Sequence, residues 1–172
     1  VLMISYPLMP SQVSLISMFT IGIPGFLLAL EPNKSRIKGH FLGNVLLKAL
    51  PAGLTDFFAV SALVICGHVF NIPSTDIATA STLLIAVVGF MIMIKISHPF
   101  NNFKYGILAL NIFGLIFCGL FLDNLFAMSD MSNICILLTI VFGFAAESMF
   151  RYITIFVEFI QNRMRKKKNA LR

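Results

Sequence analysis

This sequence is short of charge. Only 12% of its 172 residues are Asp, Glu, Lys or Arg, against about a quarter in an ordinary soluble domain. A soluble domain that was 58% hydrophobic with 18 Phe and a mean hydropathy of +0.92 would precipitate, so an integral membrane protein is expected. Cysteine is also scarce. Cys66, Cys118 and Cys135 each stand alone in an apolar run, with no Cys-x-x-Cys or Cys/His cluster. That argues against a disulfide framework or a zinc site and leaves the thiols as space-fillers. His40, His68 and His98 fall at loops or span ends, and no two share a metal-ligand spacing. A Walker A motif, an HExxH pair and a nucleophile elbow are all missing. There is no internal repeat, and no basic start with a short apolar core and a small-residue cleavage site, the pattern of a signal peptide. Val1 stands where an initiator Met would, which leads to the expectation that the chain is cut from something longer.

What is present is five long apolar runs, at about 8–30, 49–70, 77–94, 105–122 and 134–157. Roughly 20 residues at 1.5 Å per residue cross a ~30 Å hydrocarbon core. Backbone polar groups have no water there, so each run is expected to be a helix. Strands are excluded by run length and by the lack of two-residue alternation. The expected fold is an all-α integral membrane bundle of five transmembrane helices over residues 1–160, followed by a basic tail, 161–172. Lys34, Arg36 and Lys38 lie between the first two spans, Lys95 and Lys104 between the third and fourth, and Arg163, Arg165, Lys166, Lys167, Lys168 and Arg172 in the tail. Lys48 and Arg151 lie toward that same side. Residues 1–7 and the loops "NIPSTD" and "DNLFAMSDMSN" carry no basic residue. The positive-inside rule then places the amino-terminal end outside and the tail in the cytoplasm of a multi-pass plasma-membrane protein. The net charge of +6 marks topology rather than nucleic-acid binding. The tail is a stop-transfer anchor, an anionic-lipid contact, or both.

Three places break the apolar pattern. In "LISMFTIGIPGFLLALEPN", residues 15–33, Pro24 lacks an N–H and so frees the carbonyl of Thr20, four residues earlier. That carbonyl lies beside Gly22 and the hydroxyls of Ser17 and Thr20. Broken helices of this kind coordinate cations in transporters, while a packing kink is the plainer use of Pro and Gly in a span. Asp56 and Glu147 are ionisable residues inside spans and are functional candidates on that ground. Glu147 has Arg151 four residues on and is expected to pair with it. Asp56 has no local partner, because Lys48, two turns back, snorkels to the surface. Its role is either with a cation or proton, or in an interhelical hydrogen bond. The small residues of "GILALNIFGLIFCG" predict close helix packing, with Asn111 bonding a neighbouring helix.

The run "PLMPSQVSLISMFTIGIPGFLLALEPNKSRIKGHFLGNVLLKALPAGL" resembles the sixth transmembrane helix, the following cytoplasmic loop and the seventh helix of P-type cation-transporting ATPases. Pro10, Gln12, Thr20, Pro24, Glu31 and Pro32 fall at matching positions. The wording "FTIGIP" resembles the bacterial CtpE-like, calcium-transporting branch. The later spans match in number, spacing and orientation, so the resemblance covers essentially the whole chain. It implies the carboxy-terminal membrane domain of an ATP-driven pump for calcium or another divalent cation, its spans equivalent to the sixth to tenth helices. Ser17, Thr20 and Asp56 would contribute to the ion path. Pro24, Glu31, Pro32, Glu147 and Arg151 would be structural, and the loop "EPNKSRIKGH" would dock on cytoplasmic domains. Animal-type calcium pumps place Asn and Asp where this chain has Ser17 and Ile21, so only Thr20 of that set is retained. The Asp-Lys-Thr-Gly-Thr phosphorylation loop and a nucleotide-binding domain do not occur in these residues. The chain is therefore expected not to be catalytic alone and to hold no cofactor. ATP and Mg would belong to the full-length pump, and the partners would be the cation, the bilayer, and the amino-terminal helices and cytoplasmic domains. A self-standing five-span scaffold or accessory subunit is the alternative. A secondary-transporter fragment would need inverted repeats, and an intramembrane hydrolase would need paired catalytic residues.

Overall fold

The computed structural model describes residues 8–30, 41–98 and 101–170. Glu31, Pro32, His40 and the loop between the first two spans lie outside the described residues. No strand occurs among the described residues, and five helices are long and apolar enough to cross a membrane: Pro10–Ala29, Leu46–Val69, Ser74–Ser97, Asn102–Phe121 and Asn133–Gln161. The fold is an all-α membrane bundle. Most helices run a few residues beyond the apolar runs, because polar residues at their ends continue the helix without adding hydropathy; Asn101 caps the fourth span, its side chain accepting the Asn102 N–H. The last helix continues without a break to Ala170, so it includes the described part of the basic tail. Its 38 residues reach about 57 Å at 1.5 Å each.

The third span is the centre of the bundle: 56% of its apolar window is buried, against 11% for the last span. It packs on the first, second and last spans, and the second and last spans also pack on each other. Leu63, Ile77, Ala80, Leu84, Val88, Ala146 and Phe150 fill the core between them. The second and third spans are joined by a tight turn. Asn71 adopts a left-handed conformation at φ 54°, and Ile72 N–H closes on the Gly67 carbonyl at 2.9 Å. Asn tolerates that conformation better than most residues. Gly67 itself lies against Ile77, where a Cβ would come within 2.6 Å of Cδ1.

One end of the bundle is strapped by side chains from three spans. Buried Gln12 donates Nε2 to the Ala127 carbonyl at 2.9 Å and accepts the Met9 N–H at 3.0 Å. Buried Asp76 accepts the Ser132 N–H at 3.0 Å, and Thr79 Oγ1 accepts the Ser129 N–H at 3.0 Å. The Cys135 thiol donates to the Asp76 carbonyl at 3.5 Å. The 122–132 segment, with Ala127 in a left-handed conformation at φ 50°, is thus tied to the first and third spans. At the opposite end Lys95 and Glu158 pair at 2.8 Å between the third and last spans. Removing one buried partner of a charged hydrogen bond costs about 1–3 kcal/mol. Asp76→Ala is therefore expected to lower the thermal unfolding midpoint in lipid nanodiscs by several degrees. Asp130→Ala, at an exposed position in the same segment, should change it little.

Candidate functional site

The first span is bent, not broken. Pro10–Ser17 and Ile23–Ala29 are α-helical, and between them Met18–Gly22 forms a π turn in which Ile23 N–H reaches back to the Met18 carbonyl. A π turn widens the helix by one residue and is frequent at functional sites. The distortion lies on the amino-terminal side of Pro24, where the missing N–H leaves the Thr20 carbonyl without its usual donor. Two glycines on neighbouring spans receive the bulge. Phe19 seats against Gly114 of the fourth span, and Thr20 against Gly89 of the third, where a Cβ would lie 2.7 Å from Thr20 Cγ2. Small residues in "GILALNIFGLIFCG" do therefore permit close packing, at Gly114. Pro24 is fully buried behind this contact.

The hydroxyls of the bulge donate within their own helix. Thr20 Oγ1 donates to the Ile16 carbonyl at 2.8 Å, and Ser17 Oγ to the Ser14 carbonyl at 3.1 Å. A hydroxyl whose proton is spent on a carbonyl keeps its lone pairs for a second partner, which is the polarity a cation requires.

Ser17, Thr20 and Asp56 come together. All three line one open-sided cavity of about 360 Å³ between the first, second and third spans, with Ile16, Ala52 and Gly89 among its walls and exposed Val13, Ser17 and Ile21 at its mouth. That volume has room for several waters. Among the described residues lining it Asp56 is the only ionisable one, and its Oδ1 is buried without a hydrogen-bond partner. The interhelical hydrogen bond weighed for Asp56 from the sequence is thus not made by this oxygen. Asp56 is half-buried, and a buried carboxylate oxygen without a partner is costly; a hydrogen-bond donor, a proton or a cation relieves the cost. Among the described residues no three of His, Cys, Asp and Glu converge, so the cavity offers one carboxylate among neutral oxygens.

Pro51, next to the lining residue Ala52, was not singled out from the sequence. It lies inside the second helix one turn before Thr55, whose hydroxyl donates to the Pro51 carbonyl at 2.7 Å. Like Pro24 it deprives an earlier carbonyl of its donor, so each of the two helices bearing the cavity's polar groups contains a proline. A proline in an apolar run was the available signal. Asn111 differs from expectation: its Nδ2 donates to the Ile107 carbonyl of its own helix at 2.7 Å, and its buried Oδ1 has no partner. Glu147 and Arg151 lie away from the cavity and form an ion pair at 2.6 Å along the last span.

No family model matches the chain, and no solved structure matches it. Curated proteins do. The chain is 27% identical over 116 residues to a probable cation-transporting ATPase, exp7, of Streptococcus pneumoniae, which covers 67% of this chain and 15% of that protein. It is 30% identical over 100 residues to the calcium-transporting ATPase CtpE of Mycolicibacterium smegmatis, covering 56% of this chain and 13% of the relative. CtpE of Mycobacterium tuberculosis matches at 27% over the same length. The aligned residues thus make up only 12–15% of the length of these relatives. The resemblance to P-type cation-transporting ATPases that the first span carries is supported by these similarities.

Proposed function

We propose that this chain is the carboxy-terminal membrane domain of an ATP-driven cation pump, with spans equivalent to the sixth to tenth helices of a P-type ATPase. In this reading Ser17, Thr20 and Asp56 line part of the ion path. The observation that carries it is the convergence of these three residues on one cavity, beside a π-distorted helix and with a buried, unpartnered carboxylate oxygen. Hard divalent cations take six or more oxygens, with carboxylates favoured. Asp56, the two hydroxyls and the carbonyl freed by Pro24 supply a partial shell, to be completed by water or by helices elsewhere in the pump. Calcium is named for the CtpE relatives and is the first cation to test here, with manganese second. The chain itself binds no nucleotide in this reading; ATP and Mg act on the pump's cytoplasmic domains, which drive alternating access while the five spans brace the moving helices.

The plasma membrane is the proposed location, with the Gln12 end outside. Supporting this, Lys95, Lys104 and Arg163 lie at the opposite end, and among the described residues the Gln12 end carries Asp76, Asp123 and Asp130 with no Lys or Arg. The scaffold alternative has no use for an unpartnered carboxylate oxygen beside two hydroxyls.

The test is ATP-driven uptake of radiolabelled calcium and manganese into everted vesicles from cells expressing the complete reading frame. Uptake that needs ATP and falls about tenfold or more in Asp56→Asn, a loss of at least ~1.4 kcal/mol, supports the pump. No ATP-dependent flux of any cation favours the scaffold. Pro24→Ala supplies the missing N–H for the Thr20 carbonyl. It is expected to raise thermal stability while lowering the cation affinity of the uptake.

A further inference from the structure

A cavity of about 430 Å³ lies at the Gln12 end of the bundle, apart from the one that holds Asp56. Its back wall is Leu15 of the first span with Thr82 and Ala86 of the third, all three buried. Its mouth is a gap between the fourth and last spans, where Ile116, Leu120 and Ile136 are exposed. The fourth span packs on the first and third and the last on the second and third, which leaves this gap between them. In a membrane such a gap opens sideways into hydrocarbon. The Asp56 cavity opens at Val13 and Ser17, each two residues from Leu15 and so on the opposite side of the first helix. Completing one site therefore leaves the other open.

The lining changes from apolar to polar along its depth. Thr79 to Ala86 covers about 10 Å of the third helix, most of a leaflet whose hydrocarbon is about 15 Å deep. Below Thr79 the described lining is apolar except for Thr82, whose hydroxyl donates to the Ala78 carbonyl at 2.8 Å. A water there would lack the roughly two to four polar partners it needs. The roof is the connecting segment at residues 128–131. Its Ser129 N–H goes to Thr79 Oγ1, and the next segment residue, Ser132, gives its N–H to Asp76 Oδ2, each at 3.0 Å. Between them the N–H groups of Asp130 and Met131, and the exposed Asp130 carboxylate, have no partner among the described residues.

We propose that this cavity seats one phospholipid with a primary-ammonium headgroup, a phosphatidylethanolamine, from the leaflet at the Gln12 end. Its acyl chain enters between the fourth and last spans and lies against Leu15 and Ala86. A helix about 10 Å across would need roughly twice the cavity's volume over the same depth, whereas one chain fits. The two free N–H groups suit the phosphate oxygens, and the Asp130 carboxylate suits the ammonium. Charge decides between headgroups. Among the described residues this end carries Asp76, Asp123 and Asp130 and no Lys or Arg. A headgroup that is anionic overall is disfavoured there, and one bringing its own ammonium is favoured. The inference requires only that the spans cross a membrane and is independent of the cation reading.

The test is photo-labelling of the product of the complete reading frame in lipid nanodiscs. The probe is a phosphatidylethanolamine with a diazirine in one acyl chain, and labelled peptides are mapped by mass spectrometry. Label is expected to concentrate at Leu120, Met128, Met131 and Ile136 rather than at exposed Phe57 and Phe58 of the second span. Unlabelled phosphatidylethanolamine should displace it about fivefold more effectively than phosphatidylglycerol, the worth of one exposed ion pair. That preference should vanish in Asp130→Asn and persist in Asp123→Asn, an acid of the same segment outside the cavity lining. At Gly119 a new Cβ would meet only Met128 Cε, at 3.9 Å. Gly119→Leu therefore fills the cavity and should cut the labelling at least about tenfold, the scale of an overpacked site. Label spread evenly over the exposed helices, undiminished labelling in Gly119→Leu, or equal displacement by the two lipids overturns the proposal. Those are the results expected of an unselective lipid annulus, or of a cavity filled by another part of the protein.

Discussion

In lipid nanodiscs, Asp56→Asn is expected to abolish the stabilisation that calcium or manganese should give the wild type. A cation at about 100 times its dissociation constant stabilises a single site by about 2.7 kcal/mol. For a chain of this length each kcal/mol is worth about 2–4 °C, so the wild-type midpoint should rise by about 5–11 °C and the Asn variant's by almost nothing. The cause is the single carboxylate of the cavity: Ser17 and Thr20 provide lone pairs but no charge. The same geometry sets a second sign. Because Asp56 Oδ1 is buried without a partner, a hydrophobic residue of similar volume relieves a desolvation cost. Asp56→Leu should therefore match or exceed the wild-type midpoint in the absence of cation, while showing no cation response. A residue kept against stability and lost with binding marks a site. A destabilised, cation-responsive Leu variant would make Asp56 a structural residue instead.

Gly89→Ala should weaken cation binding about tenfold or more without touching any oxygen of the site, a change of at least ~1.4 kcal/mol. The new Cβ would meet Thr20 Cγ2 at 2.7 Å, and overpacking of this kind costs about 1–3 kcal/mol. Thr20 is tethered to the Ile16 carbonyl, so the strain moves a cavity oxygen rather than a free rotor. Thr20→Ser in the same chain deletes Cγ2, keeps the hydroxyl and should restore binding. Thr20→Val keeps the shape, loses the oxygen and should not. Titration of each variant with calcium, followed by intrinsic tyrosine fluorescence, reads the series. Equal affinities for Gly89→Ala and wild type would remove the Thr20 hydroxyl from the site.

The five spans were legible because an uninterrupted apolar run of bilayer length has few alternative fates. The Glu147–Arg151 pair was legible because its spacing is local to one helix. The bend was half legible. Pro24 announced a missing donor, but the π turn at Met18–Gly22 depends on Phe19 and Thr20 settling on Gly114 and Gly89, residues about 70 to 95 positions away whose approach no local pattern encodes. The same holds for Asp56, whose isolation along its own helix was visible while its meeting with Ser17 and Thr20 was not. Asp76 lay at a span boundary, where hydropathy falls off, and only the fold reveals it as a buried strap to Ser132. Asn111 was misdirected toward a neighbour because a polar residue in a span implies a partner without saying which. Its own Ile107 carbonyl was nearer.

The most direct measurement is equilibrium binding of radiolabelled calcium and manganese to the purified product of the complete reading frame in lipid nanodiscs, wild type beside Asp56→Asn. The account predicts a saturable site in the wild type that competes with unlabelled cation and disappears in the variant. Binding equal in the two proteins, or no saturable binding of either cation to the wild type, would contradict an ion path through Ser17, Thr20 and Asp56.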